Sequence, residues 1–276
     1  MKPERARVLY TGAGGGIGRC AVPTLLRAGA AVMLVGRSEA RLRAQAQELA
    51  QAHGAGRVAW HAADLLNDGA LEPLASAAAS FRANVVVHGA GVPSFGRFES
   101  LTARDLQHVV QTNLLAPMLL TQALLPHLRN LPHAQVMFIG SALGQLGLPG
   151  FSAYSASKFG LRGFAEALRR ELADGPVRLQ YLGPRSTHTP FNDAAVEAYN
   201  RATGTAMDDP QVVAEALLRL LHDDGCAERF IGWPEKLAVR LNALVPHWLD
   251  GAFTRHRRSV PEQSISGSPS TLRIAP

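Results

Sequence analysis

Cysteine is scarce in this chain of 276 residues. Cys20 and Cys226 lie far apart and form no CxxC or metal-ligand pattern, which favours a reducing, intracellular setting. The ten histidines are scattered, with no HxH or HExxH pair. We therefore expect no metal site.

Long apolar segments are missing as well. The longest uncharged run, residues 130–157, is broken by Gly, Pro and Ser, so no apolar helix of about 20 residues fits inside it. The N-terminus, MKPERARVLY, goes straight from charges into a short strand and lacks the apolar stretch of a signal peptide. We expect a soluble, cytoplasmic protein.

Basic residues exceed acidic ones by 28 to 22, which gives a formal net charge of +6. Part of the excess lies in RHRRS (255–259) and part at the N-terminus, as a solvated surface with a basic end would have. No basic stripe with interleaved aromatics on a known module is present, so nucleic-acid binding is not expected. An anionic cofactor or a membrane surface fits the charge better.

Short apolar runs alternate with helical patterns along the chain. Strands are predicted at 6–12, 30–36, 57–64, 84–91, 134–141, 177–183 and 228–234. Helices are predicted at 17–29, 38–53, 152–172 and 101–128, the last interrupted at Pro117. Seven strands with helical crossovers predict an α/β fold, a single Rossmann-type, doubly wound parallel sheet with helices on both faces.

One catalytic domain is expected over residues 1–254, and its end, 235–254, reads as an amphipathic helical extension. Its apolar stripe consists of Leu237, Leu241, Leu244 and Trp248. This helix either packs on its own domain or a neighbouring subunit, or forms an apolar wall or interfacial helix for lipophilic substrates. With the basic residues after it, 235–258 would then make a peripheral membrane contact. Residues 255–276, basic and rich in Ser and Pro, are expected to be disordered.

The stretch YTGAGGGIGRC (10–20) lies at the turn from the first strand into the first helix. Glycines there let the backbone turn tightly and approach a ligand, and the helix N-terminus attracts a pyrophosphate. Such loops also serve as plain turns, but the strand before and the helix after favour dinucleotide binding. The candidate cofactor-binding residues are Gly12, Gly14, Gly15, Gly16, Ile17 and Gly18.

The end of the second strand, LVGRSEARL, indicates which dinucleotide is bound. An NAD site usually has an acidic residue there for the ribose 2′-hydroxyl, whereas this chain has Arg37. A guanidinium suits a 2′-phosphate, so we predict NADP(H). The alternative is a solvated arginine at the start of a helix.

In AYSASKFG (153–160), Tyr154 and Lys158 share one face of a helix. A free phenol has a pKa of about 10 and is a poor base at neutral pH. A cation about 4 Å away in a cleft supplies about 4 kcal/mol, nearly enough to bring that pKa to about 7. The pair therefore predicts a phenol that exchanges a proton with an alcohol or carbonyl.

Two further polar residues fit this chemistry. Ser141 ends the fifth strand at the carboxyl edge, where open α/β sheets bind ligands. Asn113 precedes Pro117, where it can bond to backbone freed by a distortion and hold a water. Taken singly, Ser141 is also compatible with a loop serine and Asn113 with an ordinary buried amide.

Together these motifs resemble the short-chain dehydrogenase/reductase family over residues 6 to 235. TGxxxGIG is Thr11 to Gly18, and YxxxK is Tyr154 and Lys158. The resemblance implies hydride transfer at a nicotinamide, with Tyr154 as acid/base and Ser141 orienting the substrate oxygen. It also implies that Lys158 binds the ribose and lowers the tyrosine pKa, and that Asn113 holds a water. The further cofactor contacts that it implies are Asp64, Leu65, Ala90, Gly91, Pro184, Thr187 and Thr189, besides Asn113, Tyr154 and Lys158 themselves.

The chain departs from the family pattern at two places. His88 stands at the start of HGAG, where the family has NNAG and uses asparagines to brace neighbouring strands. Arg185 follows Pro184 where the family has glycine, and it is either a specificity residue or a surface charge.

These features predict an NADP(H)-dependent oxidoreductase that interconverts a carbonyl, expected to be lipophilic, and an alcohol. By analogy with the family we expect a homodimer or homotetramer that assembles through helices 101–128 and 154–173. A 3-oxoacyl-thioester reductase is the alternative among enzymes. From other classes, a non-catalytic NADP(H)-sensing binding protein and a membrane-associated scaffold stay open.

Overall fold

The computed structural model describes residues 1–232, 242, 251, 253–261 and 265–266. The strands, in chain order, are β1 (Arg7–Thr11), β2 (Ala31–Gly36), β3 (Val58–Ala62), β4 (Val85–His88), β5 (Ser94–Phe95), β6 (Ala134–Ile139), β7 (Val177–Gly183), β8 (Glu228–Phe230) and β9 (Ile265–Ser266). Seven of them form a parallel sheet in the order β3-β2-β1-β4-β6-β7-β8. β5 and β9 pair separately and antiparallel.

Helices cover both faces of this sheet. They are α1 (Gly16–Arg27), α2 (Glu39–His53), α3 (Leu71–Ser80), α4 (Ala103–Val110), α5 (Ala116–Arg129), α6 (Ser152–Glu171), α7 (Ala194–Thr203), α8 (Pro210–His222) and α9 (Thr254–Arg258). This arrangement confirms the predicted doubly wound fold.

Alternate residues along each strand enter two separate cores. Val8 and Tyr10 of β1 pack beneath α1, α2 and α8, whereas Leu9 between them packs beneath α3, α5 and α6. Because both faces are covered, the inner strands are apolar almost without interruption. This explains why they read as plain apolar runs and not as alternating patterns.

The helical pattern predicted over 101–128 is continuous from Ala103 to Arg129, but its distortion lies before Pro117. Residues Gln111–Leu115 form a π-helical turn, in which the Ala116 N–H donates to the Gln111 carbonyl five residues earlier. Pro117 has no N–H to offer the Asn113 carbonyl, so the regular α-helical bond cannot form there. The proline therefore widens the helix without ending it.

Within the described part of the chain, Ala103–Arg129 is also long and apolar enough, by length and composition alone, to cross a membrane. Its residues Leu120, Leu124 and Leu128 are fully buried in the core beneath the sheet. Packing on the sheet accounts for part of this apolar composition, since 39% of the apolar window is buried.

The C-terminal region differs from the expectation in part. Most of the predicted extension at 235–254 lies outside the described residues, although the Asn242 side chain donates to the Gln145 carbonyl at 2.7 Å. The tail expected to be disordered contains α9, whose His256 ring packs edge-on against Tyr199 of α7. It also contributes β9, which pairs with β5. These contacts are between segments far apart in sequence, so no local pattern indicates them.

Candidate active site

β1 and β4 lie side by side at the centre of the sheet, and the connections that follow them diverge to opposite sides. Thr11, the last residue of β1, holds the two ends together: its Oγ1 accepts the N–H groups of Gly89 and Ala90 at 3.1 and 3.2 Å. Open α/β sheets bind ligands at such a switch point.

The loop between β1 and α1 requires glycine at specific places. Gly12 has φ +72°, and a Cβ there would lie 2.7 Å from the Gly89 carbonyl oxygen. A Cβ on Gly18 would lie 2.5 Å from the Gly12 oxygen. The result is a shallow cradle of bare backbone in front of the α1 N-terminus, which fits an anionic dinucleotide.

A cavity of about 250 Å³ opens from this cradle along the carboxyl edge of the sheet. The residues predicted for the site that line it are Gly12, Gly15, Gly16, Ile17, Gly18, Ala90, Gly91, Ser141, Tyr154, Lys158, Pro184, Thr187 and Thr189. Thr189 closes one side, since a Cβ on Gly16 would lie 2.3 Å from the Thr189 Cβ.

The other predicted residues lie outside the cavity wall: Gly14, Arg37, Asp64, Leu65 and Asn113. Arg37 and Asp64 are both exposed and follow β2 and β3, one and two strands from β1. The Asp64 carboxylate accepts the Leu66 N–H at 3.1 Å and fixes a turn. Gly14 is exposed at the tip of the glycine loop. A dinucleotide reaching these residues would extend from the cavity along the open edge of the sheet.

Tyr154 and Lys158 lie on one face of α6, both buried. The Tyr154 hydroxyl lies close enough to the Ser141 side chain for this neighbour to lower the tyrosine pKa. The Lys158 ammonium donates to the Ile139 carbonyl at 3.2 Å and lies 5.7 Å from the centre of the Tyr154 ring. The structure therefore brings three of the four predicted catalytic side chains together at the cavity, and Asn113 lies outside its wall.

The pKa of Tyr154 differs from the sequence prediction. Burial raises it, and the neighbouring Ser141 side chain opposes this. Burial also lowers the pKa of Lys158 to about 8. The expected lowering of the Tyr154 pKa by Lys158 is not found in the chain alone. Loss of solvation on burial has a larger effect on this pKa than the Lys158 ammonium, which is bonded to the Ile139 carbonyl of β6. The protonated phenol is the form favoured here, which suits a proton donor.

Asn113 lies in the π-helical turn and braces the loop after β4. Its amide oxygen accepts the Val92 N–H at 2.8 Å, and its amide nitrogen donates to the Val92 carbonyl at 3.0 Å and to Ser157 Oγ at 3.2 Å. The side chain is thus occupied by protein partners. Its backbone carbonyl lacks the regular α-helical donor, because Pro117 has no N–H.

His88 stands where the family has an asparagine that braces neighbouring strands, and it is held by different contacts. Its ring stacks on Phe138 with centroids 4.9 Å apart, and its Nε2 lies 2.9 Å from Thr121 Oγ1. Because the Thr121 hydroxyl already donates to the Pro117 carbonyl at 2.7 Å, the histidine must donate from Nε2. Burial lowers the pKa of His88 to about 3, so the ring is neutral and links β4 to α5.

Arg185 lines the cavity, which excludes a plain surface charge. It forms an ion pair with Asp208 at 2.6 Å, and only 18% and 11% of the two side chains are exposed. The Asp208 backbone also bonds to the chain after β7, accepting the His188 N–H and donating to the Ser186 carbonyl, both at 2.9 Å. The ion pair therefore neutralises Arg185 and fastens the segment before α8 to the cavity rim.

Apolar residues that the sequence did not single out form the rest of the wall. They are Leu143, Leu146, Leu148, Phe151, Phe191, Val196 and Tyr199. The Tyr154 ring meets Phe151 and Phe191 edge-on, with centroids 6.4 and 5.9 Å apart. The aromatic residues in TPFN and EAYN were visible in the sequence, but only the fold shows that they surround the tyrosine.

Comparison with known proteins gives concordant results. Residues 6–200 match the short chain dehydrogenase family. The 3-ketodihydrosphingosine reductase of Mus musculus is 32% identical over 225 residues, covering 78% of this chain and 68% of that protein. The uncharacterized oxidoreductase YciK of Escherichia coli (strain K12) is 32% identical over 211 residues, covering 74% and 79%. A short-chain dehydrogenase structure from Streptomyces avermitilis superposes with a TM-score of 0.74 and 26% identity, covering 90% of this chain and 97% of that one.

The family match spans the glycine cradle, Ser141, Tyr154 and Lys158, so the residues that the fold gathers are the ones on which the sequence resemblance rests. Members of this family use NAD(P)(H) to oxidise or reduce small molecules. The chain belongs to the short-chain dehydrogenase/reductase family of oxidoreductases.

Proposed function

We propose that the chain is an NADP(H)-dependent oxidoreductase that interconverts a lipophilic ketone or aldehyde and the corresponding alcohol. The observation that carries this proposal is the meeting of Ser141, Tyr154 and Lys158 in the cavity that begins at the glycine cradle. A nicotinamide dinucleotide, when bound, supplies or accepts the hydride.

Ser141 orients the substrate oxygen. Its Oγ accepts the Leu143 N–H at 3.1 Å, which leaves its O–H available to donate. A carbonyl oxygen placed between Ser141 and Tyr154 receives a hydrogen bond from each, and Tyr154 transfers its proton as negative charge develops on that oxygen. In the reverse direction the same phenol, as phenolate, removes the proton from the alcohol.

Lys158 keeps a positive charge beneath the site. Its ammonium is fixed by the Ile139 carbonyl and stands below the Tyr154 ring. In this position it stabilises the phenolate that remains after proton transfer, and a bound ribose hydroxyl would lie within its reach.

A lipophilic substrate follows from the wall of the cavity. Leu143, Phe151 and Phe191 pack around Tyr154, and the charge of Arg185 is balanced by Asp208. Polar side chains also line the cavity, namely Ser94, Ser186, Asn192, Asn200 and Thr205. An anionic substrate would have to compete with Asp208 for the guanidinium. We expect NADPH oxidation with long-chain aldehydes, cyclic ketones or 3-oxoacyl thioesters, and a kcat/KM that increases with apolar size; no turnover of any of these carbonyls would contradict the proposal.

Arg37 supports NADP(H) as the cofactor. It is exposed just beyond β2 and forms no ion pair with any residue that the structure describes, so its charge is available to a 2′-phosphate. We expect Arg37→Asp to lower the NADPH/NADH ratio of kcat/KM at least about tenfold, or about 1.4 kcal/mol. Arg129→Asp, an equal charge change at the exposed C-terminal end of α5, is the matched control. An unchanged ratio in Arg37→Asp would refute the assignment of cofactor.

Assembly into a homodimer or homotetramer is supported by exposed apolar residues on the helices that carry the site. Val110, Leu115 and Phe159 are 40%, 43% and 41% exposed. They lie on the neighbouring segments α4, the π-helical turn and α6, where Leu114 packs closely over Gly160. A second copy covering this face would remove these side chains from water.

A further inference from the structure

Tyr181, on β7, makes two hydrogen bonds to the backbone of the active-site serine. Its phenol oxygen accepts the Ser141 N–H at 3.0 Å and donates to the Ser141 carbonyl at 3.0 Å. The tyrosine is fully buried, so no water substitutes for either bond. No other residue has its side chain bonded to both backbone groups of Ser141 in the described part of the chain.

Two glycines make room for this ring. A Cβ on Gly140 would lie 2.0 Å from Tyr181 Cζ, and a Cβ on Gly144 would lie 2.1 Å from the Tyr181 oxygen. Phe230 of β8 packs against the other side of the ring, with centroids 6.0 Å apart. The phenol is therefore held in one position from both sides, and the sequence around Ser141 contains glycine where a side chain would expel it.

The bonds matter because Ser141 stands beyond the end of β6. Beyond β6 the bonds to the neighbouring chain continue on either side of Ser141, from the Gly140 N–H to the Leu182 carbonyl and from the Ala142 N–H to the Pro184 carbonyl, both at 2.8 Å. The Ser141 N–H, between these two, points away from the ladder, and its hydrogen-bond partner among the described residues is the Tyr181 oxygen. The direction of the Ser141 hydroxyl depends on this backbone, since in the described part of the chain its Oγ interacts with the Leu143 N–H and with Tyr154.

We propose that Tyr181 is a positioning residue of the proposed carbonyl reduction, which fixes the Ser141 hydroxyl against the substrate oxygen through the two backbone hydrogen bonds. This inference rests on the proposed function. It assigns a role to a residue outside the Ser–Tyr–Lys set, on a strand that contributes no group to the reaction itself.

The test uses the full chain and a double-mutant cycle. We expect Tyr181→Phe to lower kcat roughly 10- to 100-fold with little change in KM or in NADPH binding, because a misplacement of about 1 Å costs about that factor. In a Ser141→Ala background the same change should have almost no further effect on kcat, since the hydroxyl to be positioned is absent. Equal losses of kcat in the two backgrounds would overturn the positioning role and leave a merely structural one.

Tyr10→Phe is the matched control. Tyr10 is also a fully buried tyrosine on a central strand, but its hydroxyl has no hydrogen-bond partner among the described residues. The kcat of Tyr10→Phe should equal that of the wild type, and a loss as large as that of Tyr181→Phe would overturn the inference.

Hydrogen exchange adds a measurement that does not need turnover. The Ser141 amide should exchange faster in Tyr181→Phe than in Tyr10→Phe, and equal protection of this amide in the two variants would also overturn the positioning role. If the wild-type chain reduces no carbonyl, the proposed function itself is contradicted. If the wild type is active but the losses of kcat from Tyr181→Phe and Ser141→Ala are additive, only the role of Tyr181 is contradicted.

Discussion

Buried His88 makes the stability of the chain sensitive to acid. Its pKa is about 3 in the folded chain, against about 6.5 when solvated. Between these values the unfolded chain binds a proton that the folded chain does not, so the free energy of unfolding falls as the pH falls below about 6.5. The expected slope from this one group is about 1.4 kcal/mol per pH unit.

His88→Asn should remove that slope. The variant loses the stacking on Phe138 and is expected to be less stable at pH 7, but its stability should decline less steeply from pH 6.5 to 4. Urea unfolding at several pH values measures both quantities. His222→Asn, at an exposed position, should keep the wild-type slope. A wild-type slope in His88→Asn would show that this histidine is not the buried neutral base that its contacts indicate.

Site residues were predicted from the sequence where they lie close together in a short motif of fixed spacing. Tyr154 and Lys158 are one helical turn apart, and the glycines of the first loop follow directly from a strand. Tyr181, Thr121 and Asp208 were not predicted, because each acts on a residue distant in sequence that only strand order or a loop contact brings close.

The helix Ala103–Arg129 links a proline to the site. Pro117 denies the Asn113 carbonyl its regular donor, and the π-helical turn brings the Asn113 side chain to Val92. Pro117→Ala restores an N–H and improves helix propensity, so we expect unchanged or increased thermal stability. Turnover should nevertheless fall about tenfold, because the carbonyl that would hold a water becomes occupied within the helix.

Pro126→Ala is the control for this change, since Pro126 lies inside α5 farther from the site. Thermal unfolding and steady-state kinetics of both variants separate the effects. Wild-type turnover in Pro117→Ala, or an equal loss in Pro126→Ala, would argue against a role for the turn.

Elements with a strong local pattern were predicted, and those without one were not. The seven strands of the main sheet were identified because each is a short apolar run between turn residues. Helices α3, α7 and α8 were not among the predicted elements, although Asp209 followed by Pro210 is a pattern typical of a helix start. The β5–β9 pair joins positions about 170 residues apart, and neither two-residue strand has a pattern of its own.

At the scale of the whole molecule, the exposed face around Leu115 and Phe159 predicts an oligomer. We expect a solution mass that is a multiple of 29.4 kDa, measured by light scattering, and a lower mass for Leu115→Arg and Phe159→Arg because a buried arginine would be unpaired. Val212→Arg places the same charge on an equally exposed residue of α8 and should leave the mass unchanged. A wild type with the mass of one chain would contradict this face as an interface.

The proposed reaction depends on the Tyr154 hydroxyl as the proton donor beside a bound nicotinamide. The most direct test is Tyr154→Phe, with NADPH binding measured by fluorescence and carbonyl reduction measured by NADPH oxidation. We expect NADPH to bind as in the wild type while kcat falls by about 10²- to 10⁴-fold. Undiminished kcat would contradict it, and a wild type that binds NADPH but consumes none with any carbonyl would indicate a sensor of the cofactor instead of an enzyme.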